Sequence, residues 1–299
     1  MKSYQTKGLF YAISSGVLWG ASGTVAQYLF SATAIKPIWL TGIRLFFSGT
    51  LLLLFLKFGR HQAIKQVWQQ KWSRWQLIRF AFLGVVPSQF AYFEAIHYGN
   101  AATATVIQFL GPLLIVIYLA ISQLVWPRRS DLFCIIIAFA GVFLLVTRGN
   151  LTNLSLGAAG LIWGLAAAIG QAAYTLLPRR LLKEFDTSLI VGWAMLIGSL
   201  PFAPLLLQTR ITLSTTVLTA VVYVVIGGTM FAYLFYLHSL HFLQPAITGM
   251  LSSFEPLTAT ILAVAFLGVE LNSAEISGIV LVLATAFVQA FVQPKELLK

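Results

Sequence analysis

Charge is what this chain has least of. Lys, Arg, Asp and Glu make up only 9% of its 299 residues, while 59% are hydrophobic. A soluble domain of this length needs a far larger charged surface, so the composition excludes an ordinary globular protein and points to lipid as the main solvent. Cysteine is nearly absent. The single Cys134 lies in an apolar run, which rules out an intramolecular disulfide and reads as a small packing residue. Acidic residues number eight against nineteen basic ones. No HExxH, Walker loop, GxSxG or strand-associated GxGxxG is present, so no familiar catalytic or nucleotide-binding signature is available. No cofactor and no metal is expected. The formal charge of +11 would suggest nucleic acid in a soluble protein, but here the basic residues lie between apolar stretches. Topology and anionic headgroups explain them better, and no nucleic-acid partner is expected.

What the chain does have is ten apolar stretches, each long enough to cross a bilayer. About 20 apolar residues span the hydrocarbon as a helix, because lipid offers no partner to an open backbone. That length predicts spans at 8–29, 36–57, 77–98, 101–125, 132–148, 157–177, 188–207, 217–240, 245–268 and 275–292. The apolar stretch after Lys7 exceeds the h-region of a cleavable signal, so it is read as a span. The sizeable loop, 58–76, is rich in Lys, Arg, Gln and Trp. It is expected to lie as an amphipathic segment on the membrane surface, with Trp68, Trp72 and Trp75 at headgroup level. With these spans, fifteen Lys and Arg residues fall on one side and only Lys36, Arg148 and Arg210 on the other, while Arg44 lies within a span. Such a bias places both termini in the cytoplasm.

The chain also repeats itself. Sliding it by 144 residues lays the third to fifth spans over the eighth to tenth without a gap: Gly84 meets Gly228, Tyr92 meets Tyr236, His97 meets His241, Pro112 meets Pro256 and Asp131 meets Glu275. The first spans need a shift nearer 149 and share the spacing Gly16-x3-Gly20 and Gly160-x3-Gly164, which lets helices approach closely in lipid. Two copies, 1–150 and 151–299, follow. Five crossings per copy turn the second upside down, an arrangement typical of secondary transporters with a substrate site between the copies. The fold class expected is therefore all-α and polytopic, ten helices in two inverted five-helix repeats.

These residues carry a family resemblance. Ala101 to Pro112 with Gly111-Pro112, its copy Pro245 to Pro256 with Glu255-Pro256, the segment Leu267-Gly268-Val269-Glu270-Leu271, and Trp19-Gly20 resemble the ten-span EamA-type permeases of the drug/metabolite transporter superfamily. Trp126 stands where the second copy has Glu270, so the acidic end of the motif is missing from the first copy. The resemblance implies a cell-membrane carrier working by alternating access, with export as its expected direction. It also implies small metabolites such as amino acids as substrates. A multidrug or amphipathic-cation exporter is the alternative, with a passive channel and an intramembrane enzyme behind it.

Polar groups inside lipid are costly unless paired or facing water, so each needs an account. Glu255 lies about ten residues into its span, before Pro256, which bends the helix and frees a carbonyl near Ser252. It is either a cavity residue that binds a cationic group or carries a proton, or a protonated acid bonded to a neighbouring helix. Arg44 and Glu94 sit at similar depth below the outer surface and are expected to form an ion pair, static or gating. Gln108 and Gln171 should face protein or cavity rather than lipid. Trp19, Tyr92, Trp163, Tyr174, Tyr233 and Tyr236 are aromatic candidates for substrate contact. His97, His238 and His241 are span-end residues that could take part in proton coupling. His238 and His241 are three apart on one helical face, but without a third ligand they do not make a metal site. Pro112 is the second helix-bending proline.

Overall fold

The computed structural model describes residues 2–123, 129–150, 157–204, 214–239, 241–243, 248 and 251–292. Trp126, Arg128, Arg210, Gln244, Pro245, Lys295 and Lys299 lie outside the described residues, as do the side chains of Lys2, Pro112 and Asp131. Among the described residues all regular structure is helical. The helices are α1 (Lys2–Ala32), α2 (Pro37–Leu54), α3 (Lys71–Arg79), α4 (Val86–Tyr98), α5 (Ala101–Gln108), α6 (Gly111–Gln123) and α7 (Arg129–Thr147). They continue with α8 (Ala158–Leu176), α9 (Leu181–Glu184), α10 (Thr187–Gly198), α11 (Thr215–Val222), α12 (Ala232–Ser239), α13 (Phe254–Leu267) and α14 (Ser273–Val292).

Among the described residues five stretches are long and apolar enough to cross a membrane: Thr6–Ala32, Pro37–Gly59, Ala101–Ser122, Ala158–Glu184 and Thr215–Ser239. Shorter apolar helices run over Leu132–Thr147, Thr187–Phe202, Phe254–Leu267 and Ser273–Thr285. Large apolar side chains such as Ile136, Ile162 and Phe266 point outward, as a lipid-facing surface requires. The chain is a multi-pass membrane protein. The helix ends follow local chemistry. Pro37 occupies the first turn of α2, where its missing N–H costs nothing. Asn100 caps α5 by accepting from the Thr103 N–H at 2.9 Å, Asp186 caps α10, and Gly268 ends α13 in the left-handed conformation at φ 63°.

Three helical joins widen into π-turns, at Phe55–Gly59, Phe80–Val85 and Tyr223–Phe231. The last two hold Gly84 and Gly228, and join α3 to α4 and α11 to α12. Such wide turns often mark functional positions, because they re-aim the side chains that follow.

The packing pairs α4 with α8, α1 with both α12 and α13, α2 with α10, and α7 with α14. The last pair approaches backbone to backbone. A Cβ on Gly141 would stand 2.8 Å from the Gly278 carbonyl oxygen, and one on Gly278 would stand 2.5 Å from the Gly141 carbonyl oxygen. The ends of this pair are clasped by a polar cluster that the sequence did not announce. Arg148, at φ 52°, places its Nε 3.0 Å from Glu275 Oε1, and Glu275 is only 1% exposed. The Asn272 N–H donates to Glu275 Oε2 at 3.0 Å, and the Asn272 side chain donates to the Arg148 carbonyl at 3.0 Å. Asn272 and Glu275 thus close a reciprocal box at the start of α14.

The 58–76 segment, expected as an amphipathic segment on the membrane surface, packs part of its length against the bundle. A 3-10 turn over Gln66–Trp68 is followed by α3, and Val67 and Leu77 are fully buried. Trp68 packs edge-on against Trp193, whose Nε1 donates to the Ile64 carbonyl at 2.7 Å. Trp72 lies beneath the Arg180 guanidinium at 4.1 Å. Trp75 alone of the three is exposed. The indoles find ring and amide partners within the protein, so this loop folds back onto α9 and α10.

Candidate functional site

Two of the spans are broken at matching places. The helix begun at Ala101 stops at Gln108 and restarts at Gly111, and α13 starts at Phe254 after turn residues at Ser252 and Ser253. Each restart carries a proline in its first turn, Pro112 second and Pro256 third, where a missing N–H is harmless. The expected bend at Pro256 is therefore a full break. The Ser252 carbonyl is not freed, because it accepts the Glu255 N–H at 3.0 Å. Glu255 sits in the first turn of α13, where the helix dipole favours a carboxylate. Its backbone also meets α1 closely: a Cβ on Gly20 would collide with the Glu255 carbonyl oxygen.

Around this break the bundle gathers its polar and aromatic groups. Arg44 of α2 is 3% exposed, and its Nε and Nη1 have no hydrogen-bond partner in the protein. Its guanidinium lies 4.7 Å from the ring centre of Phe93. The Tyr233 and Tyr92 hydroxyls and the Glu255 carboxyl are close enough to act on it electrostatically. Trp19 of α1 stacks edge-on against Tyr233 at 5.1 Å and leans on Tyr236 at 5.5 Å. Tyr174 of α8 approaches Tyr233 at 6.2 Å between ring centres. The Gln89 side-chain amide donates to the Tyr233 hydroxyl at 3.3 Å. The Tyr92 hydroxyl meets the Thr105 hydroxyl at 2.9 Å, tying α4 to α5.

Of the residues expected at a substrate site, Trp19, Tyr92, Tyr174, Tyr236 and Glu255 thus fall in one region, joined by Tyr233. Gln108 is nearby but satisfied, donating to the Ser88 carbonyl at 3.1 Å. Gln171 packs its stem over Gly111 at the other helix break. Trp163 lies apart, edge-on to Phe90 at 5.5 Å. His97 is exposed at the end of α4, against Phe30 at 5.9 Å. His238 and His241 sit beyond the end of the aromatic cluster, 6.0 Å apart. Among the described residues no three His, Cys, Asp or Glu side chains converge as metal ligands would.

The expected ion pair between Arg44 and Glu94 does not form. The face of α4 that meets Arg44 carries Phe93, fully buried, and the next residue turns about 100° away. Glu94 is half-buried and interacts with His97, one turn along its own helix. The cation's charged neighbour is Glu255 instead. Gln89 was missed although its signal resembled that of Gln108, an amide inside an apolar span.

The sequence pattern of the EamA-like transporter family matches twice, over residues 6–147 and again over 158–290. The chain belongs to the EamA-like transporter family. It is 34% identical to the uncharacterized inner membrane transporter YicL of Salmonella typhimurium over 281 residues, 93% of each chain. It is 28% identical to the uncharacterized transporter YwfM of Bacillus subtilis over 91% of this chain and 90% of that one. Protein PecM of Dickeya dadantii is 23% identical over 93% and 90% of the two lengths. A solved crystal structure, 19% identical, covers 96% of this chain and 97% of its own with a TM-score of 0.63, a likeness of fold alone. Membership and the relatives' names give this protein a transporter role, with transmembrane helices.

Proposed function

We propose that this EamA-family protein is an alternating-access carrier of small zwitterionic metabolites, amino acids or close relatives, with export as its working direction. The observation that carries the reading is the buried Arg44 fork, whose Nε and Nη1 have no hydrogen-bond partner in the protein, in the same region as the Glu255 carboxyl and the Trp19–Tyr233–Tyr236 rings. A guanidinium fork matches a carboxylate in two parallel bonds, and an acid flanked by aromatic faces suits an ammonium. Together they fit a solute carrying both charges a few ångströms apart.

The architecture in this reading is ten spans in two inverted five-helix repeats, 1–150 and 151–299, with both termini in the cytoplasm and the chain in the inner membrane. Several observations support the repeat. The family pattern matches once in each half. Gln89 and Tyr233, which bond to each other, are 144 residues apart, as two copies of one position must be when both lie on a shared two-fold axis. The close approach of Gly141 and Gly278 has its mate, under the same shift, in the Cys134 thiol and the Thr285 carbonyl at 3.9 Å. Helix breaks beside the midplane are where inverted-repeat transporters hold substrate, and each copy has one. Rocking of the copies about that axis would expose the Arg44–Glu255 region to each side in turn.

A second reading, an exporter of amphipathic cations, is favoured by the aromatic rings beside Glu255 but leaves Arg44 unused. Thermal unfolding of the purified protein with a panel of solutes separates the two. A ligand at 100 times its Kd stabilises the native state by about 2.7 kcal/mol. Zwitterionic amino acids should raise the midpoint, while their amides, which keep the ammonium and lose the carboxylate, should not. Stabilisation by the amides and by hydrophobic amines alone would select the cation reading.

A further inference from the structure

A cavity of about 220 Å3 opens where the end of the α2 π-turn, the start of α10 and the end of α12 meet. Its polar lining is Arg60, Asp186, Thr187, Ser188, His238 and His241, with Phe185 and Leu237 as apolar edges. None of these residues belongs to the central cluster. We propose that this cavity is a second binding site for the same zwitterionic solute, a vestibule that holds it before it reaches Arg44; this rests on the substrate reading above.

The charges are arranged as such a solute needs. Arg60 supplies a cation at one wall. Asp186 uses its Oδ1 to cap α10, accepting the Ser188 and Leu189 N–H groups at 2.8 and 3.2 Å, and this leaves its second oxygen for a donor. The His238 Nδ1 lies 2.8 Å from the Leu234 carbonyl oxygen. A carbonyl only accepts, so Nδ1 carries the proton, and in the neutral ring Nε2 becomes the acceptor. Carboxylate toward Arg60 and ammonium toward Asp186 and His238 is the complementary orientation. The volume falls below the roughly 300–1,000 Å3 of drug-sized pockets and suits a solute of amino-acid size.

The opposite mouth differs in one respect. A shift of 144 carries His238 onto Glu94 and His241 onto His97, and Glu94 interacts with His97. A carboxylate stands there in place of an imidazole. A carboxylate at the Glu94 position repels the carboxylate of a solute, and an imidazole at the His238 position does not.

The test uses diethyl pyrocarbonate, which acylates imidazole, with L-leucine as probe and mass spectrometry as readout. Acylation at His238 and His241 is taken relative to exposed His97, which corrects for reagent consumed by the amino acid. At four times its Kd, L-leucine should lower this ratio about fivefold in the parent. The same drop should persist in Arg44→Lys, where the central fork is lost. It should vanish in Arg60→Gln and in Asp186→Asn, which keeps the helix cap. No drop in the parent, or a drop that needs Arg44 and ignores Arg60 and Asp186, would overturn the vestibule. A drop that persists while no Arg44-dependent thermal stabilisation exists would leave the vestibule standing and remove the central site.

Discussion

At the scale of single residues, the account turns on two charges in a region built from rings. An acid and a guanidinium in a bundle interior are tolerated when each has a task, and structural pairing is the usual one. Here Arg44 has a ring face and no hydrogen-bonding oxygen, which distinguishes it from Arg148, whose Nε bonds to Glu275. Glu255→Gln keeps the size of the side chain and removes its charge and its titration. The variant should fold and reach the membrane, yet accumulate solute at least about tenfold less, the loss of roughly one hydrogen bond to a charged group. It should also lose any dependence of uptake on pH in proteoliposomes. Transport equal to the parent across the pH range would make Glu255 structural. Much of this region could be read before any coordinates, because polar groups within apolar runs are conspicuous. What depth along a span cannot supply is azimuth. Arg44 and Glu94 lie at similar depth, but one position on a helix separates the face that bears Phe93 from the face that bears Glu94.

At the scale of elements, hydropathy located the helices well and their interruptions poorly. Thr215–Ser239 and Ser273–Val292 fall within two residues of the expected 217–240 and 275–292. The breaks at 109–110 and 252–253 were anticipated only as proline bends, since an apolar run reads the same whether its backbone is continuous or not. The 58–76 loop was legible only in part for a related reason. Trp and Lys together describe an interfacial segment, and nothing in composition announces that Trp68 and Trp72 find partners in Trp193 and Arg180. The clasp between α7 and α14 offers a prediction of its own. Arg148→Ala leaves the Glu275 carboxylate buried without its cation and should lower stability by roughly 1–3 kcal/mol. Glu275→Gln in the same background should recover part of that loss, as expected for residues that share one interaction. Equal losses that simply add, followed by chemical unfolding in detergent, would mean the two side chains act separately.

At the scale of the whole molecule, the 144-residue shift links sequence to mechanism. Positions related by that shift meet at Gln89 and Tyr233, and both copies carry a helix break and a widened turn. In the proposed architecture the two copies are alike in fold and opposite in direction, so they can exchange conformations, which is the physical basis for opening one side while closing the other. The differences between copies then set chemistry: Glu255 has Gly111 as its counterpart, and Trp126 stands opposite Glu270. The proposed carrier exposes its central Arg44–Glu255 site to one side of the membrane at a time, and never to both. Counterflow in proteoliposomes tests that property most directly. Vesicles loaded with unlabelled L-leucine and diluted into trace labelled L-leucine should show a transient accumulation of label above equilibrium in the parent, and none in Arg44→Lys. Label that only equilibrates, at a rate that never saturates with concentration, would contradict the carrier and describe a channel.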